Sequence, residues 1–120
     1  MAYGKYAVSQ NIYVEQGTDW SIVFAFTDSN GDPYDLTSYT NPTCQMRSSF
    51  DASSAVDVTA TIDSDPTTGK ITLSLTSTET SGISFNNNKG VYDLEIDDPS
   101  GNTRRLVQGE VIIRPEATKA

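Results

Sequence analysis

The sequence predicts an all-β fold, an antiparallel sandwich of about seven strands. Two observations carry that expectation. Apolar and polar residues alternate with a period of two in short runs, and Gly, Pro, Asn, Asp or Ser bounds each run. A third observation excludes the main alternative: the chain has no helical stretches long enough for the crossovers of a parallel sheet. At 120 residues the chain fits one domain, and at that size about two-thirds of the unfolded surface can be buried.

Ile12 and Val14 mark a short first strand, closed by Gln16-Gly17. Trp20, Ile22, Phe24 and Phe26 follow at alternate positions, the strongest strand signal in the chain. Asp28-Ser29-Asn30-Gly31-Asp32-Pro33 then holds nearly every residue type that favours a tight turn. Tyr34 and Leu36 lead into Cys44 and Met46, and Phe50 interrupts a polar loop over 48–54. Val56, Val58, Ala60 and Ile62 form the next strand; Ile71, Leu73 and Leu75 return antiparallel to it as a hairpin. Residues 77–83 read as one helical turn with Ser77 as N-cap and a Gly near the end. Tyr92, Leu94 and Ile96 make the sixth strand. Val107, Val111 and Ile113 make the last, with Gly109 inside it as a bulge or a close backbone approach.

The expected core is Trp20, Ile22, Phe24, Ile71, Leu73, Tyr92, Leu94, Val111 and Ile113. Trp20 lies on the second run, not the third, and the Cys…Trp…Cys spacing of antibody domains is missing. The sandwich is therefore immunoglobulin-like without being of the antibody type. Residues 1–10 read as an N-terminal arm, 11–115 as the sandwich and 116–120 as a C-terminal tail.

The formal net charge is −8 and the chain has no histidine. Nucleic acid is not an expected partner, because phosphate binding rests on clustered Lys and Arg. No apolar run approaches a membrane span and the first residues lack a signal-peptide core, so synthesis and assembly in a cytoplasm are expected. Cys44 stands alone in an apolar series, as a small core hydrophobe does.

Without histidine the usual general base is missing, and no Ser sits in a Gly-x-Ser-x-Gly turn. The sequence therefore reads as non-enzymatic, with no catalytic residues and no cofactor. Asp28-x-Asn30-x-Asp32 resembles the first half of a calcium loop, but its Gly stands fourth and Tyr39 occupies the twelfth position. The expectation is a side-chain-capped turn with no metal. Candidate interface residues are Tyr3 and Tyr6 in the arm, Tyr13 beside it, and Phe50 in its polar loop, since tyrosine and phenylalanine are favoured at interfaces. A carbohydrate- or cation-binding module is the alternative from another class. It would use Tyr13, the Asp28 turn or Trp20, whose place among core residues argues against sugar stacking.

A family resemblance runs through the turn and core positions. The series is Gln16-Gly17, the aromatic strand, Asp28-x-x-Gly31-x-Pro33-x-Asp35-Leu36-Thr37, Met46-Arg47, and Gly69-Lys70-Ile71-x-Leu73-x-Leu75 with Thr80. Gly90-x-Tyr92-x-Leu94-x-Ile96, Gly101, Gly109 and Pro115 complete it. Over 12–115 the chain resembles the small immunoglobulin-like virion proteins of tailed bacteriophages, and in particular the N-terminal domain of baseplate upper proteins. The resemblance implies a virion structural subunit of the tail or baseplate, with capsid decoration as the alternative. Its implied partners are other virion proteins, copies of itself included. Baseplate upper proteins continue into a receptor-binding region and this sequence stops at Ala120, so an accessory or attachment role is expected.

Overall fold

A computed structural model describes residues 7–118. Its strands are β1 (Val8–Ser9), β2 (Ile12–Glu15), β3 (Trp20–Ala25), β4 (Thr40–Arg47), β5 (Val56–Ile62), β6 (Lys70–Leu75), β7 (Lys89–Asp97) and β8 (Thr103–Arg114). One short helix, α1 (Ser77–Ser81), follows β6. The strands form a curled sheet in the order β1-β8-β7-β4-β5-β6-β3, with β2 also on β8. The curl turns on β5. Its first half pairs with β4 (Met46 opposite Val56, Cys44 opposite Val58), and its second half pairs with β6 (Ala60 opposite Leu73, Ile62 opposite Ile71). A strand that changes partners midway makes the corner between two packed layers. The larger layer is β1/β2-β8-β7-β4 and the smaller is β6-β3. β5 closes one side of this immunoglobulin-like sandwich, and the other side ends in the two edge strands β2 and β3.

Alternation along each strand delivers one face to the core. Phe24, Ile71, Leu73 and Leu75 of the smaller layer meet Val14, Met46, Tyr92, Leu94 and Val111 of the larger, all buried. Full burial of such side chains stabilises by about 1.5–3 kcal/mol each. The hairpin of β5 and β6 forms as the sequence indicates, as does the helical turn after β6. The N-cap of that turn is Thr76, not Ser77: Thr76 Oγ1 accepts from Glu79 N (3.2 Å) and Glu79 Oε1 accepts from Thr76 N (2.8 Å). This reciprocal pair is a capping box.

The structure corrects three further expectations. The sheet is not antiparallel throughout, because β1 and β2 run parallel to β8. No hairpin joins them to it, so their direction is set by the return to β3 through Gln16-Gly17. Val8 and Ser9, placed by the sequence in the arm, pair with Val107 and Gln108, and Gln10 N donates to Gln108 O (2.9 Å). The described strands are thus eight, the extra one too short for a period to show. Trp20 and Ile22 are half-buried, although Phe24 on the same strand is buried. The last strand also carries a bulge, where Leu94 faces Val107 and Glu95 faces Arg105, leaving Leu106 unpaired and both Leu106 and Val107 buried.

Gly109 serves instead as a close approach. A Cβ there would collide with the backbone carbonyl of Gln10, which crosses directly over it. Tyr92 is the cross-strand partner of Gly109, and its hydroxyl donates to that same carbonyl. Asn11 Oδ1 accepts from Glu110 N (3.0 Å) one residue further on. The Gln10 carbonyl thus occupies the room a missing side chain leaves, and the polar tip of Tyr92 pins the N-terminal strands to β8. Burial, helped by its neighbour Cys44, raises the pKa of this phenol.

Candidate functional site

The acidic turns are occupied by their own backbone. Asp28 Oδ1 accepts from Asn30 N (2.9 Å) and Asp32 N (3.0 Å), while Gly31 at φ +82° closes the turn by donating to Asp28 O (3.0 Å). The β7–β8 hairpin repeats the device: Asp98 Oδ1 accepts from Ser100 N (3.0 Å) and Asn102 N (2.9 Å), and Gly101 N donates to Asp98 O (2.9 Å). Both Gly residues take the left-handed conformation that this hairpin geometry requires. The Asn102 N–H, with lesser help from Arg104 and Ser100, holds the Asp98 carboxyl below the usual carboxylate range. Asp65 likewise caps the short turn Pro66–Thr68 through Thr67 N (3.1 Å). Each carboxylate orders its own loop. No group of three or more metal-ligating side chains gathers among the described residues.

Cys44 is buried in β4, and burial, with the Asp93 charge adding to it, pushes its thiol up to about 12. A thiol held protonated in this way is inert. The indole N–H of Trp20 donates to Tyr13 O (2.9 Å), and the ring packs half-buried against the core.

What remains open is the outer face of the larger layer. Register places its side chains in rows: Tyr13, Ile112 and Lys89; then Glu110, Val91 and Arg47; then Gln108, Asp93 and Gln45. Tyr13 is 54% exposed and Phe50, on the loop between β4 and β5, is 65% exposed. Phe50 stands over this face between two shallow grooves. One, of about 390 Å³, runs along Arg47, Val91, Asp93 and Arg105; the other passes Lys89, Gly90 and Glu110. The structure therefore brings Tyr13 and Phe50 onto one surface, while Tyr3 and Tyr6 lie outside the described residues.

The face is polar and pre-ordered. Arg47 Nη1 donates to Ala52 O (2.7 Å) and so anchors the Phe50 loop, while its Nη2 donates to Gln45 Oε1 (3.0 Å). Gln45 Nε2 donates to Asp57 Oδ1 (2.8 Å). Arg105 lies 3.5 Å from Asp93 and 3.7 Å from Glu95, and Lys89 lies 3.7 Å from Glu110. Three bases (Arg47, Lys89 and Arg105) here meet four acids (Asp57, Asp93, Glu95 and Glu110), a smaller excess than in the chain as a whole, which carries −8. At the edge, the guanidinium of Arg114 sits 5.3 Å from the centre of the Tyr13 ring. Sequence reasoning missed Val91, Asp93 and Arg105, because only cross-strand register shows that they share a surface with Phe50. It also missed Val23, 55% exposed. That one had a signal: an apolar residue at an outward position of the strongest alternating run.

The family described as the BppU N-terminal domain, that of baseplate upper proteins, matches residues 2–82, more than half of the chain. The protein belongs to this family. The match includes the first residues and stops short of β7, so the Gly90–Ile96 series and Gly109 lie beyond it. BppU N-terminal domains are phage baseplate structural domains. No curated protein matches the chain in sequence.

Among solved structures, a point mutant of the SrpA adhesin from Streptococcus sanguinis is similar over 88% of this chain, at 12% identity and a TM-score of 0.53. The matched region is 55% of that chain, so this protein spans about half its length; the likeness is one of fold. Murine CRIg (TM-score 0.44, 11% identity, 87% of this chain and 92% of that one) also matches. So does an internalin-like protein of Listeria monocytogenes (TM-score 0.40, 18% identity, 92% and 28%).

Proposed function

We propose that this protein is a non-enzymatic structural subunit of a tailed-phage virion, seated in the tail or baseplate and joined to other virion proteins through the outer face of its larger layer. The observation that carries the reading is the family match over residues 2–82. The geometry supports it. Phe50 and Tyr13 offer two aromatic anchors on one surface, and aromatic residues supply much of the energy at protein contacts. The charges on this face nearly cancel, so it repels an acidic partner less than the acidic remainder of the surface does.

The test is localisation in purified particles. A compact label at Ser64, exposed on the loop between β5 and β6, should appear at the tail tip in image reconstructions. Label on the capsid lattice would replace this reading by decoration of the head. Phe50→Asp should leave melting within about 0.5 kcal/mol of the parent, as exposed substitutions do, yet deplete the subunit from particles. Normal incorporation of that variant would move the contact away from this face.

A further inference from the structure

We propose that Arg47 is a positioning residue for Phe50. Joined to Gln45 and Asp57 in a relay across the outer face, it holds the loop over 48–54 so that the ring stands clear of the sheet as a ready-made contact. This deepens the contact reading above and rests on it.

Apolar packing does not fix this loop, since no residue from 48 to 55 is buried. Polar bonds fix it instead. Ala52 N donates to Ser49 O (3.1 Å), which closes a turn with Phe50 at its first corner. Arg47, the last residue of β4, donates from Nη1 to the carbonyl of that same Ala52 (2.7 Å). The turn is thus clamped at its closing residue, and Phe50 stays 65% exposed. In a loop free to move, the ring would fold down onto apolar surface such as Val91, because removing it from water is favourable.

The guanidinium is aimed by its neighbours. Gln45 lies two residues back on the same face, and its Oε1 accepts from Arg47 Nη2 (3.0 Å). Gln45 also stands opposite Asp57 of β5, and its Nε2 donates to Asp57 Oδ1 (2.8 Å). Only one orientation of this amide satisfies both partners, because a carboxylate accepts and a guanidinium donates. Asp57 therefore turns the amide oxygen toward Arg47. The planar guanidinium, held on one prong of its fork, points the other at Ala52. The other bases of the face differ. Arg105 and Lys89 meet acids of neighbouring strands, whereas Arg47 makes no ion pair among the described residues. The gain is in binding: an anchor already fixed in place leaves less motion to lose when a partner closes over it. That partner offers an apolar recess, since a phenyl ring has no polar atom to satisfy.

Amide exchange on the free chain reads the clamp. Incorporation into purified particles, with variant and parent chains supplied together, reads its use. Arg47→Met keeps a long side chain and removes its donors. Exchange at the Ala52 amide should quicken at least about tenfold, with β4 and β7 still protected and melting unchanged. Gln45→Met should shift Ala52 the same way by a smaller factor. In particles, Arg47→Met and Phe50→Ala should each lower the variant's share about tenfold. The double variant should fall no lower than Phe50→Ala alone, because Arg47 acts through the ring. Ala52 exchange at the parent rate in Arg47→Met would overturn the proposal. So would additive losses in the double variant, which would put Arg47 itself against the partner. Normal incorporation of Phe50→Ala would sink the contact reading and with it the use of the clamp, while Ala52 exchange would still tell whether Arg47 holds the loop.

Discussion

β2 and β3 border the same open side of the sandwich and are finished in opposite ways. β2 is four residues long and bent at Gln10-Asn11 where the chain crosses Gly109. The indole of Trp20 takes the Tyr13 carbonyl, Arg114 covers the Tyr13 ring, and Arg114 also lies 3.5 Å from Glu15. β3 is six residues long, uncharged and paired with β6 without a register shift, and it lends Trp20 to guard its neighbour. An edge, then, is protected by what adjacent elements lay across it as much as by its own composition. β2 is covered by two other segments, β3 and β8; β3 pairs with β6 alone among the described residues.

The largest effect expected is on the layer that carries β3. Leu73 lies fully buried between Ile22 and Ala60 in register, and Leu73→Ala should cost about 2–5 kcal/mol. Chemical denaturation measures it; a parent-like midpoint would mean that β3 is not held by the core beneath it.

Gly109→Ala attacks the guarded edge. The new methyl group must displace the Gln10 carbonyl, at a cost of about 1–3 kcal/mol for an overpacked site. Amide exchange should quicken over residues 8–14 while β3 and β6 keep their protection. Uniform loss across both layers would show that the two edges are not independent.

Tyr92→Phe removes only the hydroxyl that pins Gln10, and about 0.5–1.5 kcal/mol is expected, read by thermal melting. If the loss exceeds that of Gly109→Ala, the pin outweighs the close approach in holding β2.

The smallest effect is expected far from either edge. Calcium or a chelator should leave the melting temperature unchanged, because the Asp28 carboxylate already serves two backbone donors. A rise of several degrees with calcium would show a cation bound to the folded state.

Much of this was readable from residue order. The alternation of Ile71, Leu73 and Leu75 and of Tyr92, Leu94 and Ile96 gave both strands and facing, because a period of two has one solution once one face must be dry. The Asp28 turn was readable because Asp, Asn and Gly bond their own backbone whatever surrounds them. Trp20 lies shallower than expected, because periodicity states which face a residue takes but not how deeply it sinks; Phe24 on the same strand is buried. Val8-Ser9 was hidden because two residues hold no period. The surface shared by Tyr13 and Phe50 was hidden because it joins segments that meet only through β8 and β7.

Local chemistry by itself determined the fold class, the hairpin turns, nearly all of the core and the burial of Cys44, since each rests on interactions within a few residues or on one face of one strand. Tertiary structure alone decided that β5 changes layers, that β1 and β2 run parallel to β8, that Gln10 crosses Gly109 beneath the hydroxyl of Tyr92, and that one edge is guarded and the other open. Those features join residues as far apart as Gln10 and Tyr92. A contact of that kind is fixed by the packing of whole layers, which no short stretch of sequence encodes.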